Sequence, residues 1–308
     1  MKPRILSLIS LTSLLLIASG CGQLSQARLS QSLSPEKATC QSGVSKPASA
    51  DELKTLRYQI ETYASSAMTG ERRYGIVLPP GYEQHPEQCY PVIFLLHGGH
   101  GEPKTWFVFG KAIATLKQLY SSDRLPPSII VTPDGNDLRG SSPYWDPEYV
   151  DGQNGNVMTA IGGELVETIK QRYRTLPDHR FWAIGGLSSG GWGAMNIALH
   201  YSDRFSVVFS HSGYFTDKSG IENSPVEFVR TLPPQELKQL HVYLDTGSTD
   251  STYLAQNKEF HQVLNEVGVQ NQLHTFSGEH TWKYWQTHLV DSLTFVGQQF
   301  KQAEVAHN

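Results

Sequence analysis

From Leu56 onward, two kinds of apolar run alternate along this chain. "YPVIFLLHGG" (residues 90–99) is continuously apolar up to its closing glycines, the pattern of a strand buried on both faces. "SIIVTPDGN", "RFWAIGGL", "FSVVFSHSGY", "HVYLDTG" and "NQLHTFSG" are shorter runs of the same type. Between them, "FGKAIATLKQLYSS", "ELVETIKQRYR", "GWGAMNIALHY", "NKEFHQVLNEVG" and "YWQTHLVDSLTFVGQQFKQ" repeat their apolar positions at helical spacing. Two earlier stretches, "LRYQIETYASSAM" and "RRYGIVLPPGY", are β-branched and aromatic and stop at turn signals. Strands alternating with helices predict an α/β fold, a mostly parallel sheet with helices on both faces. Working residues then belong in loops at the carboxyl ends of the strands. The predicted domain runs over residues 56–302, with a short tail over 303–308.

The first twenty residues follow a different pattern. Lys2 and Arg4 precede an apolar core, and Ala18, Ser19 and Gly20 lead to Cys21. A basic start, a short apolar run and small residues before a cut predict a signal peptide over 1–20. The sequence "ASGC" resembles a bacterial lipobox, which makes Cys21 the expected lipidation site and the membrane a partner through that lipid. Plain secretion is the alternative. Residues 21–55 are rich in Ser, Gln and Ala without apolar periodicity, the composition of a flexible tether. In an exported chain Cys40 and Cys89 can pair as a disulfide, the alternative being two free thiols.

The 308 residues carry a formal charge of −4, and the absence of a basic surplus argues against nucleic acid as a partner. No internal repeat is visible. Residues 136–155 form a long polar loop whose aromatics either line a cleft or hold the loop down.

Gly186-Leu187-Ser188-Ser189-Gly190 fits G-x-S-x-G only when centred on Ser188. It lies between a predicted strand and a predicted helix, the setting of a nucleophile elbow. A serine hydroxyl needs a base, and the base needs an orienting acid; in this architecture they follow in the order Ser, acid, His. Asp245 and Asp250 follow in "LDTGSTD", and the loop position of Asp250 favours it over Asp245, which belongs to the strand. His280 follows Gly278 in a loop, whereas His274 falls in a strand and His288 in a helix. The predicted oxyanion donors are the N–H groups of Ser189 and Gly99, with Gly98 as the near alternative. His97 and His100 form an H-x-x-H pair without further placed ligands, so no metal and no cofactor are expected. Trp106, Tyr144, Trp145 and Trp282 are candidate cleft aromatics.

Taken together, "RRYGIVLPPGY", "YPVIFLLHGG", "AIGGLSSGGWGAMNIAL", "DRFSVVFSHSGY", "LDTGSTD" and "GEHTWKYW" resemble the esterase-D-type α/β-hydrolases. That family includes feruloyl, acetylxylan and enterochelin esterases, S-formylglutathione hydrolases and trehalose mycolyltransferases. The resemblance spans about residues 58–300. It implies an α/β-hydrolase fold, Ser188 as nucleophile, Asp250 as triad acid and His280 as general base. It also implies Gly99 and Ser189 at the oxyanion positions, although Met is the family's usual residue after the nucleophile. The implied activity is ester hydrolysis through an acyl-enzyme, on a small-molecule or glycan-linked ester. Acyl transfer to a sugar or lipid hydroxyl is the alternative within the same site. A binding protein on an inactive hydrolase scaffold is the alternative outside it.

Overall fold

Eight of the apolar and β-branched runs pair into a single sheet in the computed structural model, which describes residues 40–42 and 48–306. Its strands are β1 (Tyr58–Ser65), β2 (Gly70–Val77), β3 (Val92–Leu96), β4 (Ile129–Pro133), β5 (Trp182–Leu187), β6 (Val207–His211), β7 (His241–Gly247) and β8 (Gln270–Phe276). They lie in the order β8-β7-β6-β5-β3-β4-β2-β1. β1 and β2 form an antiparallel hairpin, and β2 runs antiparallel to β4. All other neighbours are parallel. Every residue of β3, β4, β5 and β6 is buried, which is why these runs show no polar alternation.

The main helices are α1 (Ala112–Ser121), α2 (Val166–Arg172), α3 (Ser189–His200), α4 (Ser251–Glu266) and α5 (Trp282–Val305). Helix α3 is buried from Ser189 to Leu199, as a helix apolar on all sides must be. A π-helical turn, Thr159–Leu165, leads directly into α2. After β3 the chain moves to β4 on one side and returns to β5 on the other, so the switch of strand order lies between β3 and β5. The crevice outside such a switch is where open α/β sheets bind ligands. Ser188 follows β5 and Gly98 follows β3 within two residues, so both border that crevice.

The first 39 residues, with the expected signal segment and Cys21, lie outside the described residues. The end of the expected tether is corrected. Cys40 is joined by a disulfide to Cys89, Cα to Cα 5.4 Å. Gln41–Ser42 pairs in parallel with Gln88–Cys89. Ala50–Lys54 is a helical turn closed by a capping box between Ser49 and Glu52, two orphan donors satisfied reciprocally. The partner that fixes this segment stands 49 residues away, so local composition does not reveal it. At the other end α5 continues to Val305 with Ala303 buried, which shortens the expected tail.

The loop over 136–155 is held by its own polar groups and one aromatic. Leu138 N–H donates to Asn154 O (2.9 Å), and Asp151–Gly152 pairs with Gly155–Asn156. Tyr149 is fully buried, and its hydroxyl donates to His97 O at 2.6 Å. Of the two roles open to the loop aromatics, Tyr149 takes the anchoring one.

Candidate active site

Ser188, between β5 and α3, has φ 54° and ψ −124°, a left-handed backbone that non-glycine residues adopt at a cost of order 1–3 kcal/mol. The surroundings over-determine it. Its N–H donates to His211 O (2.9 Å), and its C=O accepts from Gly191 N–H (2.9 Å) and Trp192 N–H (3.1 Å). The flanking glycines are required by close approach. A Cβ on Gly186 would stand 2.6 Å from both Gly190 O and Leu96 O, and one on Gly190 would stand 2.4 Å from His97 O. Main-chain atoms cannot give way as a flexible side chain would, so both positions of the motif exclude a side chain. Helix α3 starts immediately after the serine, and its first N–H groups and positive dipole end face the hydroxyl's surroundings.

Three sequence-predicted side chains meet here. Ser188 Oγ stands 3.0 Å from His280 Nε2, and His280 Nδ1 stands 2.8 Å from Asp250 Oδ2. Asp250 is the N-cap residue of α4, yet its side chain makes no capping bond; the carboxylate goes to the histidine instead. The two loops are tied together, because Ser248 N–H donates to Phe276 O (2.7 Å) and Thr249 N–H to Gly278 O (3.1 Å). His280 directly precedes Thr281, the N-cap of α5. Its ring is stacked on Tyr253 (centroids 4.3 Å apart) and met edge-on by Trp285 (4.8 Å). Between these two rings, the imidazole holds the orientation its two nitrogens need.

The oxyanion candidates lie on either side of the serine. The N–H groups of Ser189, Gly98 and Gly99 find no acceptor among the described residues. A Cβ on Gly98 would stand 3.2 Å from Ser188 Cβ and 2.4 Å from Leu187 Cδ1, so this loop packs directly on the elbow. A Cβ on Gly99 would meet Asp146 Oδ1 at 2.2 Å, so the loop over 136–155 reaches the site through an acid. His97 braces the same turn. Burial pushes its imidazole below the ordinary histidine range; the neutral ring donates from Nδ1 to Gly98 O (2.9 Å) and accepts Gly135 N–H at Nε2 (3.0 Å). His100 Nδ1 instead contacts Ser142 O (2.5 Å), so the two rings of the H-x-x-H pair have separate backbone partners.

The candidate cleft aromatics divide. Trp106 is corrected to the core: it is fully buried and its indole N–H donates to Leu96 O (2.9 Å). Tyr144 is 88% exposed. Trp145 donates to Gly140 O (3.0 Å) and lies under Arg139, so it fastens its own loop. Trp282 packs against Phe109 and Trp285, and through Trp285 it adjoins His280. Tyr253 and Tyr214, whose rings are 6.3 Å apart, were not among the candidates; they read as the apolar face of a helix and the end of a strand.

A second, closed arrangement lies beneath the first. His211 Nδ1 stands 2.8 Å from Asp245 Oδ2 and its Nε2 2.9 Å from Ser292 Oγ, all three residues having no exposure. Tyr284 O–H donates to Asp245 Oδ1 (3.1 Å). This set joins the ends of β6 and β7 to α5. Its main chain carries the elbow, since His211 O accepts the Ser188 N–H and Asp245 O accepts Ser212 N–H (2.7 Å). Asp245 therefore serves His211, and Asp250 serves His280.

Comparison with known proteins agrees with this architecture. The model of the Esterase family, described as "Putative esterase", matches residues 65–296. An uncharacterised protein of Corynebacterium glutamicum is 26% identical over 242 residues, covering 72% of this chain and 56% of that protein. An esterase of Mycobacterium tuberculosis is 29% identical over 153 residues, covering 49% of this chain and 31% of its own length. The chain thus spans about half or less of these relatives. A solved ferulic acid esterase superposes with a TM-score of 0.72 at 29% identity, covering 80% of this chain and 98% of that one.

Proposed function

The chain belongs to the Esterase family, matched over residues 65–296, and on that premise we propose that it is a serine carboxylic-ester hydrolase forming its acyl-enzyme on Ser188. The observation that supports this most is the unbroken contact chain from Ser188 Oγ through His280 to Asp250, at 3.0 and 2.8 Å. His280 Nε2 takes the Ser188 proton as Oγ bonds to the ester carbon and the carbonyl electron pair moves onto oxygen. The N–H groups of Ser189 and Gly99 hold that oxyanion. Collapse breaks the bond to the alcohol oxygen, which leaves with the proton from Nε2. Water then gives a proton to Nε2, bonds to the acyl carbon, and expels Ser188 Oγ, which recovers its proton. Asp250 holds Nδ1–H and offsets the imidazolium charge that forms twice in the cycle.

The test is turnover of p-nitrophenyl acetate, butyrate and octanoate by the purified protein, with labelling by a fluorophosphonate. Turnover and stoichiometric labelling are expected. A folded protein that does neither sinks the hydrolase reading and brings forward the inactive-scaffold alternative.

We also propose export and anchoring by a lipid on Cys21. The basic, apolar and small-residue order of residues 1–20 supports this, as does a Cys40–Cys89 disulfide, which persists in oxidising compartments. Among the described residues, no helix is long and apolar enough to cross a membrane. Expressed in a bacterium, the protein is expected in the detergent-soluble membrane fraction, and Cys21→Ser in the soluble fraction. Identical fractionation of the two would remove the anchor.

A further inference from the structure

One acid at the oxyanion loop has no part in the reaction described so far. A Cβ on Gly99 would stand 2.2 Å from Asp146 Oδ1 and 3.2 Å from its Cγ, so the carboxylate lies against the main chain that offers an oxyanion donor. Its neighbours along the chain hold it there. Trp145 is fastened through its indole to Gly140 O (3.0 Å), and Tyr149 through its hydroxyl to His97 O (2.6 Å). Asp146 itself is exposed and, among the described residues, makes no hydrogen bond or ion pair. Arg139, the one Lys or Arg in residues 136–155, is engaged by Asp137 (2.6 Å) and Glu148 (3.1 Å). The phenols of Tyr214 and Tyr253, held above the ordinary tyrosine range first by burial, are raised next by the charge of Asp146. Tyr253 lies on the His280 ring, with centroids 4.3 Å apart, and His280 protonates the departing alcohol. The carboxylate therefore faces the side on which the alcohol leaves.

An unpaired negative charge in this position works against the reaction. The tetrahedral intermediate puts a second negative charge in the adjoining oxyanion hole, and two like charges at close range repel. An ester that brings a donor to Asp146 offsets that repulsion as it binds. An ester without one leaves it in place, and an anionic ester adds to it. Resting on the serine-hydrolase reading, we propose that Asp146 is a specificity-determining residue, which selects esters whose alcohol part carries O–H or N–H donors and disfavours anionic alcohols. The carboxylate accepts the donor's hydrogen bond, and no bond to it is made or broken in the reaction.

The test uses four acetates of one shape, the phenyl esters carrying a 4-methyl, 4-hydroxymethyl, 4-aminomethyl or 4-carboxymethyl group, with wild type and Asp146→Asn. The acid is exposed and unpaired, so the melting temperature should hardly move. Asp146→Asn is expected to raise kcat/KM for the 4-methyl ester by roughly 3- to 10-fold, and for the 4-carboxymethyl ester by more. For the 4-aminomethyl ester, an ammonium at neutral pH, it should lower kcat/KM by a similar factor. These differences should shrink at high salt, which screens exposed charges. If only the ammonium ester loses its advantage over the 4-methyl ester, the selected donor is cationic. If the 4-hydroxymethyl ester loses its advantage as well, hydroxyl-rich alcohols are selected too. All four rates changing by one common factor, or none changing, overturns the proposal while leaving the hydrolase reading intact. A wild type that neither turns over these esters nor labels with a fluorophosphonate overturns the hydrolase reading and this one with it.

Discussion

Ser188→Ala is expected to lower kcat/KM for p-nitrophenyl acetate by about 10⁵- to 10⁶-fold, the loss seen when a serine nucleophile is removed, whereas Ser189→Ala should turn over near the wild-type rate. The two residues are adjacent and both buried, so composition alone does not separate them. Geometry does. Ser188 Oγ reaches His280 Nε2 at 3.0 Å. Ser189 Oγ is buried with no hydrogen-bond partner among the described residues, and the reaction calls only on its main-chain N–H. Alanine retains that N–H and removes a hydroxyl whose burial is uncompensated, a change that is neutral or stabilising by about 1 kcal/mol. Parallel rates, fluorophosphonate labelling and thermal melts of the two variants decide the matter. An active Ser188→Ala, or an inactive but folded Ser189→Ala, would move the nucleophile.

The two aspartates that follow the serine should fail in opposite ways. Asp250→Asn removes the charge facing the His280 imidazolium and is expected to cost about 10³- to 10⁴-fold in kcat. Stability should change little, because the side chain contributes no helix-capping bond. Asp245→Asn instead breaks a fully buried pair with His211. Leaving a buried polar group without its partner costs about 1–3 kcal/mol, so this variant should melt below wild type, with activity limited by the fraction folded. The pair is read by kcat at a temperature where both are folded, together with denaturant midpoints. An Asp245→Asn that is stable but inactive, beside an active Asp250→Asn, would exchange the two assignments.

Much of this site could be read before any coordinates because its signals are local. G-x-S-x-G needs two glycines where main-chain oxygens lie within 2.6 Å of any added Cβ, and the strand and helix around it have unmistakable periods. His280 and Asp250 stood out because they follow strands in loops. The features that escaped depend on distant partners. Trp106 looks like a cleft aromatic until its indole is seen to donate to Leu96 O. The His211–Asp245–Ser292 set draws on two strands and a helix, and nothing in "FSHSGY" announces it. Tyr253 escaped for another reason: an aromatic at the third position of a helix is ordinary amphipathic patterning, and only its stack on His280 marks it out. Residues 40–42 and 48–55 have the composition of a linker, yet Cys40 is bonded to Cys89 and Ala50–Lys54 is a capped helical turn.

That bond has a topological result. It closes residues 40–89 into a covalent ring, and the ring contains β1, β2 and the exposed Glu83, Gln84, Pro86 and Glu87. A protease that cuts the exposed stretch opens the ring without dividing the molecule: both fragments stay joined, and the β1–β2 hairpin stays beside β4. For a protein proposed to work outside the cytoplasm, a single nick there is an injury that leaves nothing free to diffuse away.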